Sequence, residues 1–128
     1  MIKVKINDLL NSVETLQKLS NQNFKAKLAW QVARLIRAAE SELQTFNDTR
    51  LNLIRKYGEK DENGDLLTDE NNNYKIIPDK ANDFSNELNE LANSEVEINA
   101  KKLDFALLED LDFTPVEMAV LEPFVDMK

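Results

Sequence analysis

Residues 24–57 read FKAKLAWQVARLIRAAESELQTFNDTRLNLIRKY, a run without Gly or Pro that Gly58 brings to an end. The two residues that most penalise a helix interior are both missing from it. At about 1.5 Å per residue, a helix over this run is about 50 Å long. That exceeds the ~30 Å of a small domain, so the rest of the chain or a partner must pack along it.

Within the run, Leu28, Val32, Leu35, Ala39, Leu43, Phe46, Leu53 and Tyr57 recur at helical spacing, with a gap at Arg50. This near-heptad stripe fits a helix packed against an antiparallel neighbour. A second stripe of Phe24, Trp30, Ala33 and Ile36 makes the first half apolar on two sides. The first half is therefore expected to be central and the second half more exposed. Arg55 and Lys56 suit the negative end of the helix dipole, and Gly58 suits a left-handed residue just past the helix end. Asn47-Asp48-Thr49 is the weakest stretch, because short polar side chains compete for the backbone. Continuity through it is left open.

Outward from this helix, Ile2, Val4 and Ile6 alternate with Lys3 and Lys5, the period of a half-buried strand. A helix over 8–20, capped by Asn7 or Asp8, follows with Leu9, Leu10, Val13, Leu16 and Leu19 on its apolar side. Together with 24–57 it predicts a helical hairpin. Residues 59–77 are polar, with Leu66-Leu67 and Tyr74-Lys75-Ile76-Ile77 flanking the second polar cluster. They are either a small hairpin with a long loop or a mobile excursion. Pro78-Asp79 opens a helix over 79–92, with Ala81, Phe84, Leu88 and Leu91 on one face, laid against the hairpin. Residues 95–100 alternate like a strand and are the natural partner of 2–6, which sets Lys3 and Lys5 beside Glu95 and Glu97. Thr114-Pro115-Val116-Glu117 is a helix start, with a hydroxyl at N-cap, Pro at N1 and Glu at N3. Val116, Ala119, Val120, Leu121 and Phe124 then form an apolar face. No internal repeat is evident. The expected fold is mainly α with a small two-stranded β element (an α+β chain). It is expected to form a single domain over 1–128, divided by composition into 1–58, 59–77 and 78–128.

Composition narrows the function. An apolar share of 42% supports a core, and two Gly and three Pro in 128 residues favour helix over a turn-rich β fold. With neither Cys nor His, the chain has no disulfide, no thiol nucleophile and none of the commonest general base. No apolar run approaches the roughly 18 residues of a membrane span, and the alternating N-terminus lacks a signal's apolar core. A cytoplasmic, non-enzymatic product without cofactor or metal is expected. The net charge of −8 is lopsided: residues 1–57 hold ten Lys and Arg against five Asp and Glu, residues 58–128 six Lys against nineteen Asp and Glu. Either the acidic half folds back on the basic helix, or it faces a basic partner.

Asp61-Glu62-Asn63-Gly64-Asp65 resembles a calcium loop only briefly: Leu66 stands where the loop needs Gly, and Asn72 where it needs Glu. It reads as a solvated turn. Carboxylate pairs such as Glu109-Asp110 and Glu87 with Glu90 read as solvated helix faces, since acid–base work needs a cleft that separates their pKa values. Lys25, Lys27, Arg34 and Arg37, interleaved with Trp30 and Phe24, carry the residue types of a nucleic-acid face. In an acidic chain the reading preferred for them is core plus internal ion pairs. From Asp104 to Asp126, acidic residues mix with bulky apolar ones, Leu107 among them. This stretch is either a cap on the core or a docking surface for a partner groove, for which the candidate residues are Phe105, Leu108, Glu109, Asp110, Asp112, Phe113, Leu121 and Phe124. An acidic rod can also imitate a nucleic-acid backbone.

The order of features carries one further clue. Lys25-Ala26-Lys27 enters the long helix, Arg55-Lys56-Tyr57-Gly58-Glu59-Lys60-Asp61-Glu62-Asn63-Gly64 leaves it, and Glu87-Leu88-Asn89-Glu90-Leu91, Glu95-Val96-Glu97-Ile98 and Thr114-Pro115 follow. Over nearly its whole length the chain resembles a family of small proteins encoded by tailed bacteriophages and prophages. The resemblance brings no catalytic residues. It implies a role by protein–protein contact in head or tail assembly, or as a virion component, in the host cytoplasm or the virion. Its partners would be phage structural proteins, a host protein or further copies of the chain. The other role it implies is acidic inhibition of a host DNA-handling or defence enzyme.

Overall fold

The computed structural model describes residues 1–126, the side chain of Leu107 apart. Met127 and Lys128, the end of the expected single domain, and the Leu107 side chain lie outside the described residues. The chain forms two compact units, Met1–Leu43 with Ser94–Lys128, and Gln44–Asn93. Neither boundary coincides with the compositional divisions at 58 and 78.

The first unit opens with β1 (Ile2–Lys5), which pairs antiparallel with β2 (Glu95–Ile98). Lys3 faces Glu97 and Lys5 faces Glu95, as the charge pattern requires. The pleat sends Ile2 and Val4 inward and the lysines outward. The Lys3–Glu97 pair, at 3.9 Å and largely exposed, adds little beyond setting register.

Two short helices replace the expected 8–20 helix: α1 (Ile6–Asn11) and α2 (Val13–Ser20). Neither Asn7 nor Asp8 caps. The helix begins earlier, with Lys5 at N-cap, and Asp8 sits in the first turn, where it complements the dipole. The break falls at buried Ser12, whose hydroxyl donates to the Leu9 carbonyl at 2.7 Å. A short side chain there competes for the helical acceptor, and the hydroxyl is satisfied out of water.

The long helix α3 (Ala26–Tyr57) starts two residues later than the apolar pattern suggests, leaving Phe24 in the preceding loop. It is continuous through Asn47-Asp48-Thr49. There the polar side chains bond along the helix rather than against it: Gln44 Nε2 donates to Asp48 Oδ1 at 3.0 Å, Thr49 Oγ1 to the Thr45 carbonyl at 2.9 Å, and Arg50 to Asn47 Oδ1 at 3.3 Å. Leu28, Val32, Leu35 and Ala39 are buried as the stripe predicts, together with Leu16 and Leu19 of α2. The same core takes Ile98, Leu103, Leu108, Leu121, Phe124 and Val125 from the C-terminal part.

That part holds a small parallel pair, β3 (Leu103–Asp104) with β4 (Val125–Asp126), and α5 (Pro115–Leu121). The Thr114 signal is realised as a full capping box. Thr114 Oγ1 accepts from the Glu117 backbone N–H at 3.1 Å, and Glu117 Oε1 accepts from the Thr114 N–H at 2.8 Å. Glu117 also accepts from Lys18 Nζ at 3.0 Å, which ties α5 to α2. The capping N–H and then the Lys18 ammonium hold its carboxyl below the ordinary glutamate value of 4.5.

In the second unit α3 runs out through Phe46, Ile54 and Tyr57, its buried apolar side chains; Ile54 takes the deep position expected of Leu53. Gly58 is not left-handed. It is glycine for space: a Cβ there would lie 2.5 Å from the Ile54 carbonyl oxygen and 2.7 Å from Leu66 Cδ2. Residues 59–77 form neither a simple hairpin nor a loose loop. The Glu59 N–H donates to the Lys75 carbonyl at 2.8 Å, Lys75 to Leu67 at 3.0 Å, and Leu67 to Glu59 at 2.9 Å. Three extended segments, bridged at Gly58–Ile76, Lys60–Leu66 and Thr68–Tyr74, thus each pair with the other two. The ring closes on itself through one residue of each segment, Glu59, Leu67 and Lys75, each of which donates once and accepts once.

Its two turns are copies, so an internal repeat exists after all: Asp61-Glu62-Asn63-Gly64-Asp65 and Asp69-Glu70-Asn71-Asn72-Asn73, eight residues apart. In each, the leading Asp Oδ1 accepts backbone N–H bonds two and four residues on, at 2.8 and 3.0 Å from Asp61 and 2.9 and 3.0 Å from Asp69. In each, the fourth residue has positive φ, 83° at Gly64 and 64° at Asn72. A 3-10 turn (Pro78–Lys80) then leads into α4 (Ala81–Ala92), which rests on the last turns of α3. Phe84 meets Tyr57 edge-on at 6.3 Å, and Lys56 reaches Glu87 at 3.6 Å. No residue of α4 is fully buried; Phe84, Leu88 and Leu91 are half-buried and Ala81 is exposed.

Candidate functional site

The eight candidate docking residues divide. Leu108, Leu121 and Phe124 are in the core, at 2%, 0% and 0% exposure, so their side chains are closed to a partner. Phe105 and Phe113 are half-buried against that core, with Lys18 Nζ 5.1 Å above the Phe113 ring. Glu109, Asp110 and Asp112 are exposed. The apolar members went inward because a chain of this size needs them for its core. The large apolar side chain left outside on α5 among the described residues is Val116, 73% exposed, beside exposed Pro115, Ala119 and Glu122.

A second face lies where sequence reasoning placed core. Trp30 is 62% exposed, and Ala33 is exposed with it; Phe24 and Ile36 are half-buried at the edge of the core. The first half of α3 is therefore apolar on two sides but covered on one. The expected internal ion pairs do not form: Lys25, Lys27, Arg34 and Arg37 are exposed, and among the described residues none pairs with a carboxylate. Arg34 lies over the Trp30 ring at 5.3 Å instead. This holds the indole in place and leaves the guanidinium edge free to bond. Beside Trp30 a shallow groove of about 460 Å³ is lined by Met1, Lys27, Gln31, Arg34, Ala100 and Lys101, among others. Met1, at 70% exposure, extends its apolar surface.

The sequence did contain a signal for this face. Residues at i−3, i+4 and i+7 share a helix face with residue i, and around Trp30 these are Lys27, Arg34 and Arg37. A Trp on a cationic face is better placed in water than in a core. Residues 15–39 carry five Lys and Arg and no carboxylate, whereas 103–126 carry seven Asp and Glu and no Lys or Arg. The first unit thus presents one apolar face set among cations and one set among carboxylates.

The Asp61 loop spends Oδ1 of its leading carboxylate on backbone N–H groups. Among the described residues, no group of three or more Asp and Glu is arranged to hold a metal ion, and no helix is long and apolar enough to cross a membrane. Comparison with protein-family models, curated proteins and solved structures finds no match to this chain.

Proposed function

We propose that this chain is a non-enzymatic phage protein that works by protein–protein contact, in head or tail assembly or as a virion component, with the Trp30 face as its principal contact. The observation that carries the contact is Trp30 itself, an indole 62% exposed on a helix whose opposite side is anchored in the core. Exposed aromatics next to Arg are the residue types that dominate binding energy when a partner covers them. The phage setting rests on the resemblance at Lys25-Ala26-Lys27, Arg55 to Gly64 and Thr114-Pro115.

A second reading, an acidic inhibitor of a host DNA-handling or defence enzyme, draws on the exposed Glu109, Asp110 and Asp112 in a segment without a single cation. A tagged pull-down from infected cells, read by quantitative mass spectrometry, separates the two. Head or tail proteins captured by the wild type and lost from Trp30→Ala support assembly. One host nuclease or defence protein, kept by Trp30→Ala but lost when Glu109, Asp110 and Asp112 become Gln, Asn and Asn, supports inhibition instead.

A further inference from the structure

We infer that the occupant of the Trp30 face is the Val116 face of a second copy, so that the chain assembles head to tail. The inference rests on the reading of the chain as a contact protein and names its partner.

Charge decides the pairing. Lys27, Arg34 and Arg37 surround Trp30, while Asp112 and Glu122 flank Val116 in sequence; all five are exposed. Two Trp30 faces brought together would set cations against cations, and two Val116 faces carboxylates against carboxylates. Like charges opposed across an interface work against it, so neither symmetric pairing suits. Trp30 against Val116 sets the three cations opposite the two carboxylates and covers both apolar side chains. The fit between these two segments is already used once within a copy, where Lys18 meets Glu117 at 3.0 Å.

Shape agrees. Val116 projects from the first turn of α5 between small or rigid neighbours, Pro115 and Ala119, and the Trp30 side offers a groove of about 460 Å³. The lining of the groove shares no residue with Val116 and its exposed neighbours Pro115, Ala119 and Glu122, and both belong to the same compact unit, so every copy carries one of each. A contact between unlike faces either closes reciprocally as a two-fold dimer or leaves one of each face free after every addition and propagates into a larger ring or a filament.

Sedimentation velocity across a concentration series tests this with the full chain. The wild type is expected to rise above monomer mass with concentration, while Trp30→Ala and Val116→Lys each stay monomeric with unchanged far-ultraviolet dichroism and melting. Mixed one to one, the two variants should form a dimer and nothing larger. The Trp30→Ala copy keeps its Val116 face, the Val116→Lys copy keeps its Trp30 face, and each copy's other face is spoiled. Should a variant misfold, Arg34→Glu and Glu122→Lys give a charge-swap pair: each alone should stay monomeric, and their mixture, in which the two altered faces also complement each other, should assemble. Either of two results overturns the proposal: a wild type monomeric up to about 1 mM, a weak contact's range, or folded variants whose mixture stays monomeric. If the wild type is monomeric yet Trp30→Ala loses a captured phage protein, the self-contact fails and the contact reading stands. If Trp30→Ala changes neither, both fail.

Discussion

One helix serves two regions that are stabilised in different ways. In the first unit, α3 meets residues drawn from both ends of the chain, and sixteen of the described side chains form one buried cluster. In the second unit the same helix, its apolar stripe interrupted at Arg50, buries only Phe46, Ile54 and Tyr57 among its described apolar side chains, and α4 buries nothing fully. There the order lies in the backbone, in the closed ring through Glu59, Leu67 and Lys75 and the two Asp-led turns. Apolar burial contributes about 25 cal/mol per Å², whereas a hydrogen bond exchanged with water nets only about 1 kcal/mol. The first unit should therefore be the more stable, and the second the first to exchange its amides.

The largest blow to this contrast is Leu35→Asp, which sets an unpaired charge at a site with 0% exposure. It should abolish cooperative melting of the first unit; a wild-type melting temperature would show that the stripe is not the core. Gly58→Ala should be next, at about 1–3 kcal/mol for overpacking against the Ile54 carbonyl and Leu66. Hydrogen exchange should quicken at Glu59, Leu67 and Lys75 and stay unchanged at Leu19 and Ile98; equal acceleration in both sets would erase the distinction.

A smaller effect is expected at the α2–α5 tie. Because Glu117 titrates below the ordinary value of 4.5 when folded, its contribution is complete above that value. It is lost as pH falls through the ordinary value and on through the depressed one. Melting followed against pH should show a flatter acid limb for Glu117→Gln than for the wild type. Thr114→Ala, which removes the cap, should cost about 1 kcal/mol at neutral pH. The smallest change is Gly64→Asn. The matching turn already carries Asn at the same left-handed position, so denaturant midpoints should move by only a few tenths of a kcal/mol.

Much of the candidate site was hidden although its residues were in plain view. Trp30 and Leu35 both lie on apolar stripes of α3, one 62% exposed and the other 0%. The repeat in the second unit is disguised in the sequence because two residue types, Gly64 and Asn72, fill the same turn position.

The amino-acid pattern alone determined the long helix, the pairing of 2–5 with 95–98, the charges that face across it, and the capping box at Thr114. Each rests on residues a few positions apart or on a strand alternation that fixes which side chains face inward. Tertiary structure decided which stripe of α3 is covered, where the first helix breaks, why residue 58 is glycine and that three short segments close into a ring. Periodicity says which side chains share a face; which face is taken from water depends on segments sixty to a hundred residues away, such as Ile98, Leu121 and Phe124 against Leu28, Val32 and Leu35.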